Sequence, residues 1–422
     1  MGLAKPLAGN ELFPHVEITR KQLDPCLGNL DIFLKRYQPG FYRTEQREHA
    51  QTYVEGLLSD LPRKTIEPIA TDHDQHRRSL QRFVGAGAWR DQNILGELHA
   101  HVREQLGDPE GILIFDGSGF PKKGTESVGV KRQWCGRLGK QDNCQIGVFL
   151  AYAGRGSSAL VAKDLYLPRE WCRSKTRRLK CHVPKGLRFR TSPKIALDLL
   201  AEVSSRLPHA WVGGDDEFGP AWIRRALAKA GERYLLDVPS NTCIRDLEAP
   251  APKRHRRQAG RTAMAPFIPA KQWLRQQPDS AWKRIFVRNG EKGPIEFEAL
   301  KRQVRTYTER RVGPQETLLV IRTLDSKPEY SFSLSNASSD TPLDRLVHVA
   351  RQRHAIEECF ERAKGEAGLA HYEVRSWLGW QHHTTLALVA TWFLTLEARR
   401  VGGKNTGSDG PTDGLRSTDA AA

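Results

Sequence analysis

No stretch of this 422-residue chain approaches the roughly 20 consecutive apolar residues that a membrane-spanning helix requires. The segment Met1 to Asn10 lacks a basic stretch followed by an apolar core, so it does not read as a secretory signal. Both absences argue against a membrane role and set a cytoplasmic location as the expectation. The most apolar helix candidate, Thr384 to Leu396, is too short to span and follows Gln381, His382 and His383, so burial in a soluble core is expected.

Cysteine is sparse and odd in number, seven in all, with no CxxC pair among them. In a long chain without a signal peptide this argues for reduced thiols rather than disulfides. Cys135, Cys144, Cys172, Cys181 and His182 make a zinc-ligand set on paper, but structural zinc sites usually contain a CxxC pair.

Acidic residues are outnumbered, 49 against 66 Lys and Arg, leaving a formal charge of +17. Such an excess favours a polyanionic partner, with nucleic acid first, although charge speaks to partners and solubility rather than to fold. At this length, two or three packed units are expected.

Residues 1–106 read as an all-helical N-terminal domain, with helices over Arg47 to Asp60 and Ser79 to Gln105. Arg43, Arg63, Lys64, Arg77, Arg78 and Arg82 there are candidates for phosphate contact or for a solvated bundle surface. An α/β pattern follows over 107–241: strands at Gly111 to Asp116, Gln145 to Tyr152, Ala159 to Leu167, Ala210 to Val212 and Tyr234 to Val238, with helices at Ser192 to Leu207 and Ala221 to Ala230. A β-rich insertion is expected over 242–340, including a basic loop at Ala249 to Arg261 and strands at Thr317 to Arg322 and Tyr330 to Leu334. The core resumes over 341–401 with a long helix near Pro342, and 402–422 lacks the apolar periodicity needed to order a tail.

Three carboxylates stand out. Asp116 ends an apolar strand and precedes Gly117-Ser118-Gly119, read as a flexible turn that lets other groups approach closely. Asp215 repeats the pattern after Trp211-Val212-Gly213-Gly214; its neighbours Asp216 and Glu217 are suited to capping the helix near Pro220. Glu357 lies on the helix Leu343 to Lys364, beside an apolar stripe of Leu346, Val349, Ile356, Phe360 and Ala363, with Arg353 and Lys364 on nearly the same face. Taken singly, strand-end aspartates are commonly turn formers, and such helical charges commonly form surface pairs.

The spacing Arg353-x3-Glu357-x6-Lys364 resembles the Arg-Glu-Lys signature of DDE transposases from bacterial insertion sequences. The blocks Asp116-Gly-Ser-Gly-Phe-Pro-Lys-Lys-Gly124 with Gly129 to Gly136, and Asp215-x-x-Phe218-Gly219, resemble that family's two aspartate regions, so the likeness covers roughly residues 40 to 400. It implies a ribonuclease-H-like catalytic core with Asp116 and Asp215 on strands, Glu357 on a helix and the β-rich insertion before it. It also implies catalysis and metal binding by those three residues with Mg²⁺, Mn²⁺ being a substitute, action on double-stranded DNA at element ends and target, and a homodimer assembled on DNA. A nucleoid-associated cytoplasmic enzyme is then expected.

The chemistry suits the residues. Two divalent ions can activate a water or 3′-hydroxyl and stabilise the leaving oxygen, and hard carboxylate oxygens suit Mg²⁺ where Cys or His would not. Without cations, clustered carboxylates raise one another's pKa values. Lys122, Lys123, Lys131 and Arg132, with Arg137 and Lys140, follow the first aspartate closely enough to face phosphates, and Arg353 and Lys364 flank Glu357. Nine Lys or Arg residues between Arg173 and Lys194 suggest a DNA track, and Trp273 and Trp282 are candidates for base stacking or for burial. A catalytically silent DNA-binding derivative, or a metal-dependent nuclease that does not join strands, would show the same features.

Overall fold

The computed structural model describes residues 20–250, 264–290 and 293–405. Met1 to Asn10, most of the basic loop expected at Ala249 to Arg261, and the tail from 406 onward lie outside the described residues.

Five helices come first: α1 Arg20–Lys35, α2 Thr44–Leu58, α3 Ile66–Asp72, α4 Arg77–Ala86 and α5 Asp91–Leu106. The helix expected from Ser79 to Gln105 is therefore two. Phe83 carbonyl accepts from the Trp89 indole at 3.1 Å, and a Cβ on Gly87 would stand 2.4 Å from the same oxygen, so the chain turns there and buries Trp89.

Next come β1 Ile112–Pro121, β2 Lys131–Cys135, β3 Lys140–Gly154 and β4 Ser157–Leu165, then the helices α6 Arg169–Arg173, α7 Lys175–Lys180 and α8 Ser192–Val203. β5 Trp211–Gly214, α9 Ala221–Lys229 and β6 Tyr234–Asp237 complete the first α/β part. Ile112 to Phe115 are all buried although successive side chains point to opposite faces, so both faces of β1 are covered. β5 pairs parallel with both β1 and β6.

Then follow β7 Cys243–Asp246, β8 Ile268–Pro269, α10 Ala270–Leu274, β9 Lys283–Gly290, β10 Gly293–Thr308, β11 Arg311–Arg322 and β12 Tyr330–Ser335. These strands are not a separate sheet. β12 pairs antiparallel with β6, giving one mixed sheet in the order β2-β3-β1-β5-β6-β12-β11-β10-β7-β8, with β4 on β3 and β9 on β10. The β-rich segment still has a small core of its own around Ile244, Trp273, Leu300, Val304, Leu318 and Phe332.

The chain ends in α11 Leu343–Gln352, α12 His354–Gly365 and α13 Trp377–Asn405. The helix expected from Leu343 to Lys364 is broken at Arg353, which closes α11 and opens α12. α13 packs against α2, α4, α5 and β4, and one continuous apolar core runs from Leu30 through β1 and β3 to Phe393. The helices before β1 thus share their core with the sheet. Among the described residues no helix is long and apolar enough to cross a membrane.

Candidate active site

The site follows from strand register. Phe115 on β1 pairs with Gly214 on β5, so Asp116, within β1, and Asp215, immediately after β5, stand side by side where the parallel pairing of these strands reaches the carboxyl end of β5. Open α/β sheets place ligands at such strand ends.

Gly117-Ser118-Gly119 is not a turn: β1 continues through it, with Gly117 opposite Val148, Ser118 opposite Gly147 and Gly119 opposite Ile146 on β3. The glycines serve close packing instead. A Cβ on Gly119 would lie 2.8 Å from Cys135 Sγ, and one on Gly117 would lie 3.4 Å from Glu217 Oε2.

Asp116 Oδ1 accepts the Gly117 amide at 2.6 Å, and Asp215 Oδ1 accepts the Glu217 amide at 3.0 Å. Among the described residues no protein donor is bonded to the second oxygen of either carboxylate. Burial and the charge of Asp215 push Asp116 up to about 7; burial, Glu217 and Asp216 push Asp215 up to about 6. Asp216 and Glu217 are exposed, and neither caps α9, whose N-cap is Pro220.

Glu357 sits in the first turn of α12, close enough for its charge to raise Asp116 further. Its Oε2 accepts from His354 Nδ1 at 2.9 Å, and Arg353 lies 3.7 Å from Oε1. These cations hold Glu357 below the usual glutamate range, His354 first. Lys364, on the same helix, points its ammonium toward the rings of Phe360 and Phe120, at 5.0 and 5.8 Å, within the field of Asp116.

The donor set fits a hard divalent cation: Asp116 and Asp215 each keep a free oxygen and carry a mutual repulsion that a cation would relieve. Glu357 is not folded into a closed ligand cage with them, since among the described residues no three acidic, His or Cys side chains converge tightly enough to hold one ion.

The expected basic residues divide. Lys123 and Arg132 are exposed, and Lys131 is exposed but paired with Glu170 at 2.6 Å. Lys122 turns inward. Its ammonium donates to the Tyr372 carbonyl at 2.9 Å, lies 3.3 Å from the ring centre, and is pushed by burial to about 8, so it is not placed as a phosphate contact. Arg353 is likewise engaged, with Asp237 at 3.5 Å as well as Glu357.

Before β1, Lys64 in the connection between α2 and α3 is buried against the Glu366 carbonyl, and Arg63 and Arg77 pair with Glu373 and Glu67. In the 173–194 stretch Arg178, Lys180, Arg190 and Lys194 have internal or ion-pair partners, while Arg173, Lys175, Lys185 and Arg188 are exposed. Trp273 is buried with its indole on Asp246, which rules it out as a stacking platform; Trp282 is half-buried beside Tyr330 and Arg322.

Two residues at the site escape the sequence reading. His354 holds Glu357, and Asp237, ending β6, holds Arg353. The strand that carries Asp237 is legible, but Val238-Pro239 after it gives none of the glycine signal that marks Asp116 and Asp215.

The chain is 29% identical over 182 residues to a probable transposase for insertion sequence element IS701 from Microchaete diplosiphon; the match takes in 43% of this chain and spans 45% of that relative. A sequence model described as DDE superfamily endonuclease matches residues 36–294, more than half the chain and a span that includes Asp116 and Asp215. The chain belongs to the DDE superfamily of endonucleases.

Proposed function

We propose that this protein is a transposase that cleaves the ends of a DNA element and joins them to target DNA, with Asp116, Asp215 and Glu357 holding Mg²⁺, for which Mn²⁺ can substitute. The observation that carries this reading is the register of Phe115 with Gly214, which sets two half-buried carboxylates side by side, with Glu357 on α12 near enough for its charge to act on Asp116. The core around them is read as ribonuclease-H-like, extended by the β-rich strands.

When bound, a pair of divalent cations supplies an activated oxygen nucleophile and stabilisation of the leaving oxygen. The chain's own contribution is positional and electrostatic. β1 and β5 set Asp116 and Asp215 at one level, and Glu357, in the first turn of α12, is near enough for its charge to act on Asp116. Lys364 and Arg353 place positive charge beside the carboxylates, where a phosphate would enter. Exposed Lys123 and Arg132, and Lys131 once released from Glu170, are the cations offered to the flanking duplex. Joining two ends in one event needs two such sites, so a pair of chains assembled on DNA is the simplest closed arrangement.

Incubation with double-stranded DNA carrying the element's ends, target DNA and Mg²⁺ tests the reading. Joined products support transposition. Cut but unjoined ends identify a nuclease, and binding without cutting a silent derivative.

A further inference from the structure

Leu236 on β6 pairs with Gly214 on β5, so Asp237 follows Asp215 in the same way that Asp215 follows Asp116. Three neighbouring parallel strands therefore carry a carboxylate at one level of the sheet, within β1, just after β5 and at the last residue of β6. The third is wired differently from the other two.

Asp237 Oδ1 accepts the hydroxyl of Ser333, its partner in register on β12, at 2.6 Å, and Oδ2 faces Arg353 Nε at 3.5 Å. Both oxygens are thus engaged, whereas Asp116 and Asp215 each keep one free. Arg353 in turn reaches Glu357 at 3.7 Å, completing a relay from β12 through β6 to α12. Arg353 also occupies the break between α11 and α12, and no side chain caps the first turn of α12. Helix starts without a capping side chain leave amide groups unsatisfied and depend on other contacts for their placement. Here the long-range contacts are the Asp237 pair, the Ser158 hydroxyl donated to the Ala355 carbonyl at 3.3 Å, and the packing of Ile356 and Phe360; of these the Asp237 pair alone reaches the side chain that touches Glu357.

We propose that Asp237 is a positioning residue: by gripping Arg353 it fixes the start of α12 and so governs where Glu357 stands relative to Asp116 and Asp215. This inference rests on the reading of those three carboxylates as cation ligands.

The test is Mg²⁺ and Mn²⁺ binding to the full-length, DNA-free protein by titration calorimetry. Asp237→Asn should weaken binding about tenfold or more, the range seen when partners that orient a ligand are removed, and Asp237→Glu should recover part of it. Arg353→Gln should weaken binding similarly, and the double variant should be no weaker than the worse single one, because both changes break one link. If Asp237 acted only by its charge, Arg353→Gln, which removes a positive charge, would not weaken cation binding, and unchanged or tighter binding by Arg353→Gln, or additive losses, overturns the proposal. So does near-normal affinity in Asp237→Asn. Should Asp237→Asn fail to fold, Ser333→Ala serves in its place, with a smaller loss of affinity expected and unchanged affinity counting against the relay. Absence of divalent binding by the unaltered protein overturns the cation reading itself and this inference with it.

Discussion

Asp116 and Asp215 are adjacent because Phe115 and Gly214 share a register between two parallel strands, although the two acids lie 99 positions apart in the chain. A one-residue slip of β5 would turn Asp215 to the other face of the sheet, so the same hydrophobic pattern that buries Trp211 and Val212 also aims the carboxylate. Packing and chemistry are specified together.

The pair Arg224 and Glu316 joins that scaffold to the β-rich strands. Both are buried, 2.7 Å apart, with the Tyr234 hydroxyl on the same Glu316 oxygen and the Arg224 guanidinium on the Gly219 carbonyl, at the end of the loop that begins with Asp215. Glu316→Ala leaves a buried cation unpaired and should cost about 3–5 kcal/mol of unfolding free energy. Urea denaturation measures it; a loss below about 1 kcal/mol, the range of exposed pairs, would show the network to be dispensable.

Two buried histidines give a pH prediction. His99 donates Nε2–H to the Val161 carbonyl at 2.7 Å and accepts from Arg206 on Nδ1; His383 accepts from the Tyr53 hydroxyl at 2.9 Å and donates to the Leu369 carbonyl. Both rings are satisfied only when neutral, and burial lowers them from 6.5 to about 4 and about 3. The unfolded chain therefore takes up protons below pH 6.5 that the folded chain refuses. Stability is full above that pH and falls on acidification by roughly 1.4 kcal/mol per pH unit for each ring. Asp116 and Asp215 act with the opposite sign, so the measurement compares His99→Gln and His383→Gln with the parent protein, in which the acids are common. Denaturation between pH 7.5 and 5 should show a flatter slope in each variant; identical slopes would place the protons elsewhere.

How far the sequence discloses this molecule depends on whether a feature is local. β1, β5 and the stretch from Thr317 to Arg322 are legible because a short, wholly apolar run bounded by polar or glycine residues has little alternative to a buried strand. The break at Arg353 is hidden because the apolar stripe continues through it. Lys122 misleads for the same reason in reverse: closeness to Asp116 along the chain does not fix direction, and its ammonium finds Tyr372, 250 residues on. The union of the β-rich strands with the core sheet depends on β12 meeting β6, a pairing that no local pattern encodes.

DNA binding separates the exposed cations from the buried one. The affinity of the parent protein should fall steeply with salt, and Lys123→Ala and Arg132→Ala should each reduce the slope of log affinity against log salt by about 1, one phosphate contact apiece. Lys122→Ala should leave the slope unchanged while lowering thermal stability, because its ammonium serves Tyr372. A flat response in the parent protein, or a reduced slope for Lys122→Ala, would contradict this division.

The most direct test of the account is metal-dependent cleavage of DNA carrying the element's ends, measured beside DNA binding for the same proteins. Asp116→Asn, Asp215→Asn and Glu357→Gln should each lower the cleavage rate by more than about 100-fold, while binding in the absence of metal stays within about threefold of the parent protein, because these side chains hold cations rather than phosphates. Cleavage near the parent rate by any one of the three would remove that residue from the site, and near-normal cleavage by both aspartate variants would contradict the account at its centre.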